Sequence, residues 1–330
     1  MRVVVTGAAG FIGSNLVDAL LDRGDSVVGI DNLSTGQRRF LTDAVENERF
    51  RFVEGDLVDG LDLVPVIEGA DAVVHLAANA DVRFGWQDTR RDLRQNVVMT
   101  LEIADAMRVA GVRKLLFSST GSVYGESPIV PTPEDAPFPR QTSLYGASKA
   151  AAEGYLSAYA EAGELDVTIF RFVSVMGRHY THGHVIDFVS ALTSDPTRLR
   201  VLGDGNQKKS YLDVSDCVAA VISRLDQSVR FEVFNLGTDE YCTVRDSIRW
   251  ITDRLGVEPE LAFTGGDRGW VGDNPFIFLD TSAIRATGWR PRLTIKDAVE
   301  RTIDYLVSNP WLTEAHKPDR ASSTPLPSPP

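Results

Sequence analysis

The chain is short of cysteine and histidine, and it lacks long runs of apolar or basic residues. Its two cysteines, Cys217 and Cys242, form no Cys-x-x-Cys pair and no metal-ligand spacing. That excludes a disulfide framework and a cysteine-based metal site, and both read as small apolar residues. No basic run exceeds pairs such as Arg38-Arg39 and Lys208-Lys209, and the net charge is -12. The basic face needed for nucleic acid or an anionic membrane is therefore absent, although a few placed cations still suffice for one diphosphate. No apolar run approaches the roughly 18 residues of a membrane span. Met1-Arg2-Val3-Val4-Val5 reads as a strand, not a signal peptide. The expectation is a cytoplasmic protein with no nucleic-acid or membrane partner.

What is present is ample apolar material, 43% of 330 residues, enough for a large core. In the first half, short apolar segments alternate with amphipathic ones. Strands are expected at Arg2–Thr6, Ser26–Asp31, Phe50–Glu54, Asp71–Ala77, Arg113–Ser119 and Asp166–Phe172. Helices are expected at Phe11–Arg23, Val97–Ala110 and Tyr145–Ala162. This alternation predicts an α/β fold with a doubly wound parallel sheet covered on both faces. Beyond Met176 the pattern loosens, with helices near 184–194, 215–225, 244–255 and 295–308 and a strand near 231–236. We assign 1–175 to a Rossmann-type dinucleotide domain. Residues 176–310 form mainly a smaller α/β substrate lobe, with some chain returning to the sheet domain, and 311–330 are a disordered tail ending in Ser, Thr and Pro.

Gly7, Gly10 and Gly13 lie between the first strand and the first helix. Glycines there permit a tight turn and let the backbone approach a pyrophosphate at the helix N-terminus. Asp31 ends the second strand, 24 residues after Gly7, where a carboxylate binds ribose hydroxyls and repels a 2′-phosphate. The pattern predicts NAD rather than NADP. Asp56, after the third strand, either caps a turn or contacts adenine.

Tyr145 and Lys149 form Tyr-x-x-x-Lys on one face of a helix. An ammonium beside a phenol lowers its pKa, which suits a general base for an alcohol proton. Upstream, Ser118-Ser119-Thr120-Gly121-Ser122-Val123-Tyr124-Gly125 leaves a strand at its C-terminal end, offering hydroxyls to a ligand. Arg178-His179-Tyr180-Thr181-His182-Gly183-His184 holds three of the five histidines. It has no carboxylate or cysteine partner at metal spacing, so we expect no metal there and read it as a substrate-binding or flexible loop.

The glycine loop, Asp31, Ser118-Ser119-Thr120-x-x-Val123-Tyr124-Gly125 and Tyr145-x-x-x-Lys149 occur in an order and spacing that resemble the extended short-chain dehydrogenase/reductase family. The likeness continues through Gly203-Asp204-Gly205-x-Gln207, Asp213-Val214-x-Asp216, Phe234-Asn235-Leu236-Gly237 and Gly288-Trp289-Arg290-Pro291, covering roughly residues 1–308. The resemblance implies a cofactor, NAD, with Phe11 and Ile12 at the pyrophosphate and Asp31, Asn32, Leu33, Ser34, Thr35 and Gly36 at the adenosine ribose. Asp56 and Leu57 would meet adenine. Leu76, Ala77, Ala78, Asn79 and Ala80 would run along the cofactor with Asn96 near them, and Phe172 and Val173 would sit by the nicotinamide. It implies Thr120, Tyr145 and Lys149 as catalytic residues. For the substrate it implies Thr120, Ser122, Tyr145, Ser174, His184, Val185, Lys209, Arg268, Asp273 and Ile277.

Within the family, UDP-sugar 4-epimerases of the UDP-glucose/UDP-galactose type are the most similar group, and the distinction rests on absences. The Thr-Asp-Glu of 4,6-dehydratases reads Thr120-Gly121-Ser122, without the acids that eliminate water. Neither cysteine lies where fucose-type epimerase-reductases place theirs. Three positions depart from the epimerase pattern: Ser174 replaces an Asn, Lys209 an Arg, and Trp270 a second Arg, with Arg268 two residues earlier. The resemblance implies epimerisation at carbon 4 through a transient 4-keto sugar, and a homodimer formed by the helices near 97–110 and 145–162. The alternatives are a UDP-uronate 4-epimerase, a nucleotide-linked 4-keto-sugar reductase, and a non-catalytic NAD-binding regulator. A residue that gates the space beside the sugar's carbon 2 falls at Ile277.

Overall fold

A computed structural model describes residues 1–80, 85–137, 140–266 and 276–316. The chain runs β1 (Arg2–Thr6), α1 (Phe11–Arg23), β2 (Ser26–Asp31), α2 (Thr42–Val45), β3 (Phe50–Glu54), α3 (Val64–Ile67), β4 (Ala72–His75), α4 (Met99–Ala110), β5 (Lys114–Thr120), α5 (Leu144–Glu161) and β6 (Asp166–Phe172). It continues through β7 (Ser174–Met176), α6 (His184–Ser194), β8 (Arg198–Val201), β9 (Lys208–Lys209), β10 (Tyr211–Asp213), α7 (Val214–Leu225), β11 (Phe231–Leu236), β12 (Cys242–Thr243) and α8 (Val244–Leu255). It closes with β13 (Glu260–Phe263), β14 (Phe276–Ile277), α9 (Ser282–Ala286), α10 (Ile295–Ser308) and α11 (Pro310–Ala315).

Seven parallel strands form one sheet in the order β11-β6-β5-β4-β1-β2-β3. Because successive side chains of a strand face opposite ways, the valines of β1 divide. Val3 and Val5 join the core beneath α1 and α7, while Val4 joins the core beneath α4 and α5. Both faces are thus apolar, which is why these strands read as continuous hydrophobic runs. The strand order reverses between β1 and β4, and the C-terminal ends there are where an open α/β sheet receives its ligand. A third core gathers α6, α8, α10 and β8 into the second lobe. No helix among the described residues is long and apolar enough to cross a membrane.

Three boundaries differ from the sequence reading. The strand expected over 71–77 ends at His75, because Leu76 and Ala77 leave the ladder and donate their N–H groups to the Thr6 hydroxyl at 3.2 Å. The helix expected from Val97 is preceded by a π-helical turn over Leu93–Val98 that carries Asn96. The first residues of the segment placed in the tail, 311–330, are folded: α11 continues to Ala315, and Trp311 packs on Phe40 at 5.9 Å with the Arg39 guanidinium over its ring. That apolar contact orders a segment which composition alone assigned to the tail. The remainder, from residue 317, lies outside the described residues.

Candidate active site

The turn from β1 to α1 requires glycine for packing. Gly7 has φ +69°, and a Cβ there would lie 2.8 Å from the Ala77 nitrogen; a Cβ on Gly13 would lie 2.0 Å from the Gly7 oxygen. These two glycines let helix, loop and β4 close on one another. Gly10 caps α1 without any side-chain hydrogen bond. The first-turn N–H groups, at Phe11 and Ile12, are thus left for an anion.

Asp31 ends β2 with its carboxylate turned back toward this turn. It accepts from the Ala9 N–H at 3.0 Å and the Leu33 N–H at 2.8 Å, and Leu33 takes a left-handed φ of 57° to present that donor. A Cβ on Gly36 would come within 2.7 Å of the Asp31 carboxylate. Burial pushes the Asp31 carboxyl above its ordinary range, opposed by the two N–H donors. Asn32, Ser34 and Thr35 are exposed around it. An uncapped helix end and a backbone-held acid, separated by one turn of chain, fit a dinucleotide. Asp56 caps: it accepts from the Val58 N–H at 2.9 Å and from the Asn32 amide at 2.8 Å, which hold its carboxyl below the usual range. The Leu57 side chain turns into the core beneath α4.

Leu76, Ala77, Ala78 and Asn79 follow β4, half-buried, with Ala80 exposed. Asn96 was expected near the cofactor, but its amide is committed to protein. It accepts from the Asn79 N–H at 2.9 Å and donates to the Asn79 carbonyl at 3.2 Å and to Ser148 at 2.9 Å. Asp92 accepts from the Asn79 side chain at 2.7 Å. Asn96 therefore shapes the segment that lines the cleft and joins it to α5.

Thr120, Tyr145 and Lys149 converge where β5 ends and α5 begins. The Thr120 hydroxyl caps the following turn, accepting from the Ser122 N–H at 3.1 Å, and hydrogen-bonds the Tyr145 phenol. The Lys149 ammonium donates to the Ser118 carbonyl at 2.9 Å and lies 4.6 Å above the Phe117 ring. The electrostatics correct the sequence expectation of a Tyr145 phenol held low by Lys149. Burial pushes the Tyr145 phenol up to about 12, against the pull of the Thr120 hydroxyl, and Asp92 adds to the rise. Burial pushes Lys149 down to about 7. Desolvation of both groups outweighs their mutual support, because Lys149 is aimed at the Ser118 carbonyl.

The other predicted residues divide into two sets. Phe172 and Val173 are buried where β6 ends, Ser174 is exposed, and Ser122 is half-buried in the turn after Thr120. Lys209 and Ile277 are register partners on β9 and β14. Ile277 packs on Gly121, its Cγ2 3.0 Å from where a Cβ there would stand, and the Lys209 charge acts on His184. The Gly121 that Ile277 meets directly follows Thr120. His184 itself is engaged in the lobe, its Nε2 2.7 Å from the Ser247 hydroxyl and its Nδ1 3.4 Å from Tyr211, and burial lowers it to about 4. The Val185 side chain is fully buried in the lobe core, so only its backbone faces outward. Arg268 and Asp273 lie outside the described residues.

Two histidines of the 178–184 segment are fastened to protein. His179 is buried, stacked on Phe40 at 4.2 Å and hydrogen-bonded to Ser14 of α1 at 2.7 Å, and burial lowers it to about 3. His182 is exposed beside Tyr180. The later motifs also bind each other: Asp216, fully buried, accepts from the Arg292 and Leu293 N–H groups at 2.9 and 3.1 Å, and Trp289 donates to its carbonyl at 3.1 Å.

Sequence reasoning missed a buried network behind the catalytic face. Glu153 accepts from Ser119 and Arg171, Arg171 donates to Tyr124 at 2.5 Å, and Tyr124 donates to Asn235 at 2.9 Å. The available signal was Glu153 standing four residues after Lys149 on the same helical face.

Comparison with known proteins agrees with this geometry. The family model described as "NAD dependent epimerase/dehydratase family" matches residues 3–237. The UDP-glucose 4-epimerase of Mycolicibacterium smegmatis is 36% identical over 313 residues, 92% of this chain and 98% of that one. The Thermus thermophilus UDP-glucose 4-epimerase, solved with NAD, has TM-score 0.81 and 33% identity, covering 93% of this chain and 99% of that one. The UDP-glucuronic acid 4-epimerase of Bacillus cereus, solved with UDP-glucuronic acid and NAD, has TM-score 0.86 and 27% identity, covering 94% and 100%. With the glycine turn, the backbone-held Asp31 and the Tyr-x-x-x-Lys pair on one cleft, the chain belongs to the NAD dependent epimerase/dehydratase family, and its cofactor is NAD.

Proposed function

We propose that the protein interconverts UDP-sugars at carbon 4, with the UDP-glucose/UDP-galactose pair as substrates, through a transient 4-keto sugar. The observation that carries this is the convergence of Thr120, Tyr145 and Lys149 at the end of β5, beside the uncapped turn of α1. The 4-epimerase relatives support it, as does the absence of acids at Gly121 and Ser122.

NAD, when bound, would supply the hydride acceptor and donor for carbon 4. The chain does the rest. Phe11, Ile12 and Asp31 hold the dinucleotide, and Lys149 holds its ribose. Tyr145 accepts the proton of the sugar's 4-hydroxyl and later gives it back, while Thr120 hydrogen-bonds the same oxygen. A phenol that burial pushes up to about 12 ionises only with a cation at hand, which is the part Lys149 plays. Lys209 meets the diphosphate as a point charge, and Ile277 borders the sugar's carbon 2. No net redox change occurs, so the cofactor stays bound through the cycle.

The test is turnover of UDP-glucose, UDP-galactose, their N-acetyl forms and UDP-glucuronate by the purified protein. Interconversion of the hexose pair is expected, and turnover confined to UDP-glucuronate would replace that pair with uronates. We infer further that two copies pair through α4 and α5, because Val109 and Tyr155 stand exposed on those helices and Leu93 on the π-helical turn that leads into α4. Light scattering should give twice the chain mass, and a monomer at micromolar concentration would end that reading.

A further inference from the structure

The reaction proposed above gives no part to the buried carboxylate of Glu153. Tyr145, Lys149 and Glu153 stand at i, i+4 and i+8 on α5 and so share one face. Glu153 is 5% exposed. Its carboxylate accepts from the Ser119 hydroxyl, from Arg171 Nε at 3.1 Å and from Arg171 Nη2 at 2.7 Å. Arg171 also donates to the Glu134 carbonyl at 2.8 Å and to Tyr124 at 2.5 Å. Each partner adjoins a residue of the cleft. Ser119 precedes Thr120, Arg171 precedes Phe172, and Tyr124 ends the turn that holds Ser122. One carboxylate thus joins α5, β5 and β6 directly behind the reacting face.

Stability alone does not account for a charge here. A buried ion pair commonly contributes no more than apolar residues of the same volume, because desolvation offsets the attraction. What the pair supplies is a placed negative charge. Lys149 faces the Phe117 ring and the Ser118 carbonyl from β5, His75 from β4, and Tyr145 and Glu153 from its own helix. His75 is neutral, pushed down to about 3 by burial, and Asp92 acts on Tyr145 from the π-helical turn. Arg171, with Glu134 beyond it, brings a second cation from β6.

We propose that Glu153 is a positioning residue: ion-paired with Arg171 and one helical turn from Lys149, it keeps Lys149 in its cationic form and fixes the spacing of α5 from the end of β5. Burial drives Lys149 toward neutrality and the Glu153 charge opposes this. Glu153→Gln removes the opposing charge and leaves Arg171 in place, so Lys149 loses its proton at lower pH. A role confined to packing would leave that titration where it is.

The kinetic arm rests on the 4-epimerase reading, so the primary measurement is independent of turnover. The chain has six lysines. Lysine labelled with carbon-13 in the NAD-loaded protein lets Lys149 be titrated directly, its signal assigned by Lys149→Arg. In Glu153→Gln the titration is expected to move down by about one pH unit, with the alkaline limb of activity moving alongside, so that the rate relative to wild type falls about tenfold across that limb. The Michaelis constant should change little, and Glu153→Asp should restore the limb. An unmoved Lys149 titration overturns the proposal. A moved titration with no turnover of any UDP-sugar overturns the epimerase reading and leaves this one standing. Should the single variant fail to fold around a stranded guanidinium, Glu153→Gln with Arg171→Gln removes both charges. Lys149 is still expected to titrate below wild type there, because the lost carboxylate is its neighbour one helical turn away, and titration at or above wild type rejects the proposal.

Discussion

Two regions of the molecule bury the same kind of polar side chain and use it differently. Asp31 at the end of β2 and Asp216 in α7 each accept two backbone N–H groups. Asp31 stands at the C-terminal end of β2 and keeps a small exposed edge, whereas Asp216 is fully buried. Asp216 is sealed beneath residues 289–293, and the Arg292 guanidinium takes it at 3.1 Å. The histidines follow the same rule: His179 and His184 are fastened to Ser14 and Ser247 within protein. Residue type and motif do not separate a ligand-binding group from a girder. The difference lies in whether the chain closes over the group.

The widest contrast is expected at the catalytic face. Tyr145→Phe keeps the ring and removes the phenol, so turnover should fall by about two to four orders of magnitude while melting temperature and NAD content hold. Near-normal turnover would remove Tyr145 from the reaction.

The paired acids provide a crossed test. Asp216→Ala strands two buried donors, which costs about 1–3 kcal/mol in urea unfolding, with NAD content unchanged. Asp31→Asn keeps an acceptor but loses the charge, so less NAD(H) should be released on denaturation and discrimination against NADP should relax. If both variants lose stability alike and both retain NAD, the distinction between open and sealed acids fails.

In the cleft of the second lobe, Lys209→Ala should raise the Michaelis constant for a UDP-sugar about tenfold, with a smaller effect on kcat, because a diphosphate is held alike in ground and transition states. An unchanged Michaelis constant would place the diphosphate elsewhere. The smallest effect concerns Ile277. An apolar wall rejects a sugar lacking a few contacts by only about 1–3 kcal/mol, so wild type should accept both UDP-galactose and UDP-N-acetylgalactosamine. Ile277→Tyr should selectively lose the N-acetyl sugar, and equal conversion by the variant would show that Ile277 only packs against Gly121.

Much of the sheet lobe was legible because its signals are local. The valine runs of β1, β2 and β4, the glycines before α1 and the four-residue step from Tyr145 to Lys149 are each complete within a few residues. The short strands β7 to β10 and β13 were not anticipated, whereas Cys242 and Phe276–Ile277 were expected on strands. Two- to four-residue segments such as Lys208–Lys209 carry no periodicity of their own and exist only through partners such as Cys242 and Ile277. Trp311 joined the fold because Phe40 and Arg39 received it, which composition does not encode. The Tyr145 phenol was misjudged for the same reason, since its titration follows from how completely the cleft excludes water.

By itself the sequence determined the order of elements, the two-faced burial of the sheet, the site of the dinucleotide turn and the identity of the Tyr-Lys pair. All of these follow from backbone preference and side-chain period over a few residues. Only the tertiary structure decided that Thr120 meets Tyr145, that Glu153 pairs with Arg171, and that Asp216 is sealed while Asp31 keeps a small exposed edge. Those outcomes depend on distant segments arriving at one point and on the water they displace. Desolvation and long-range contact are properties of the packed chain, and no local pattern carries them.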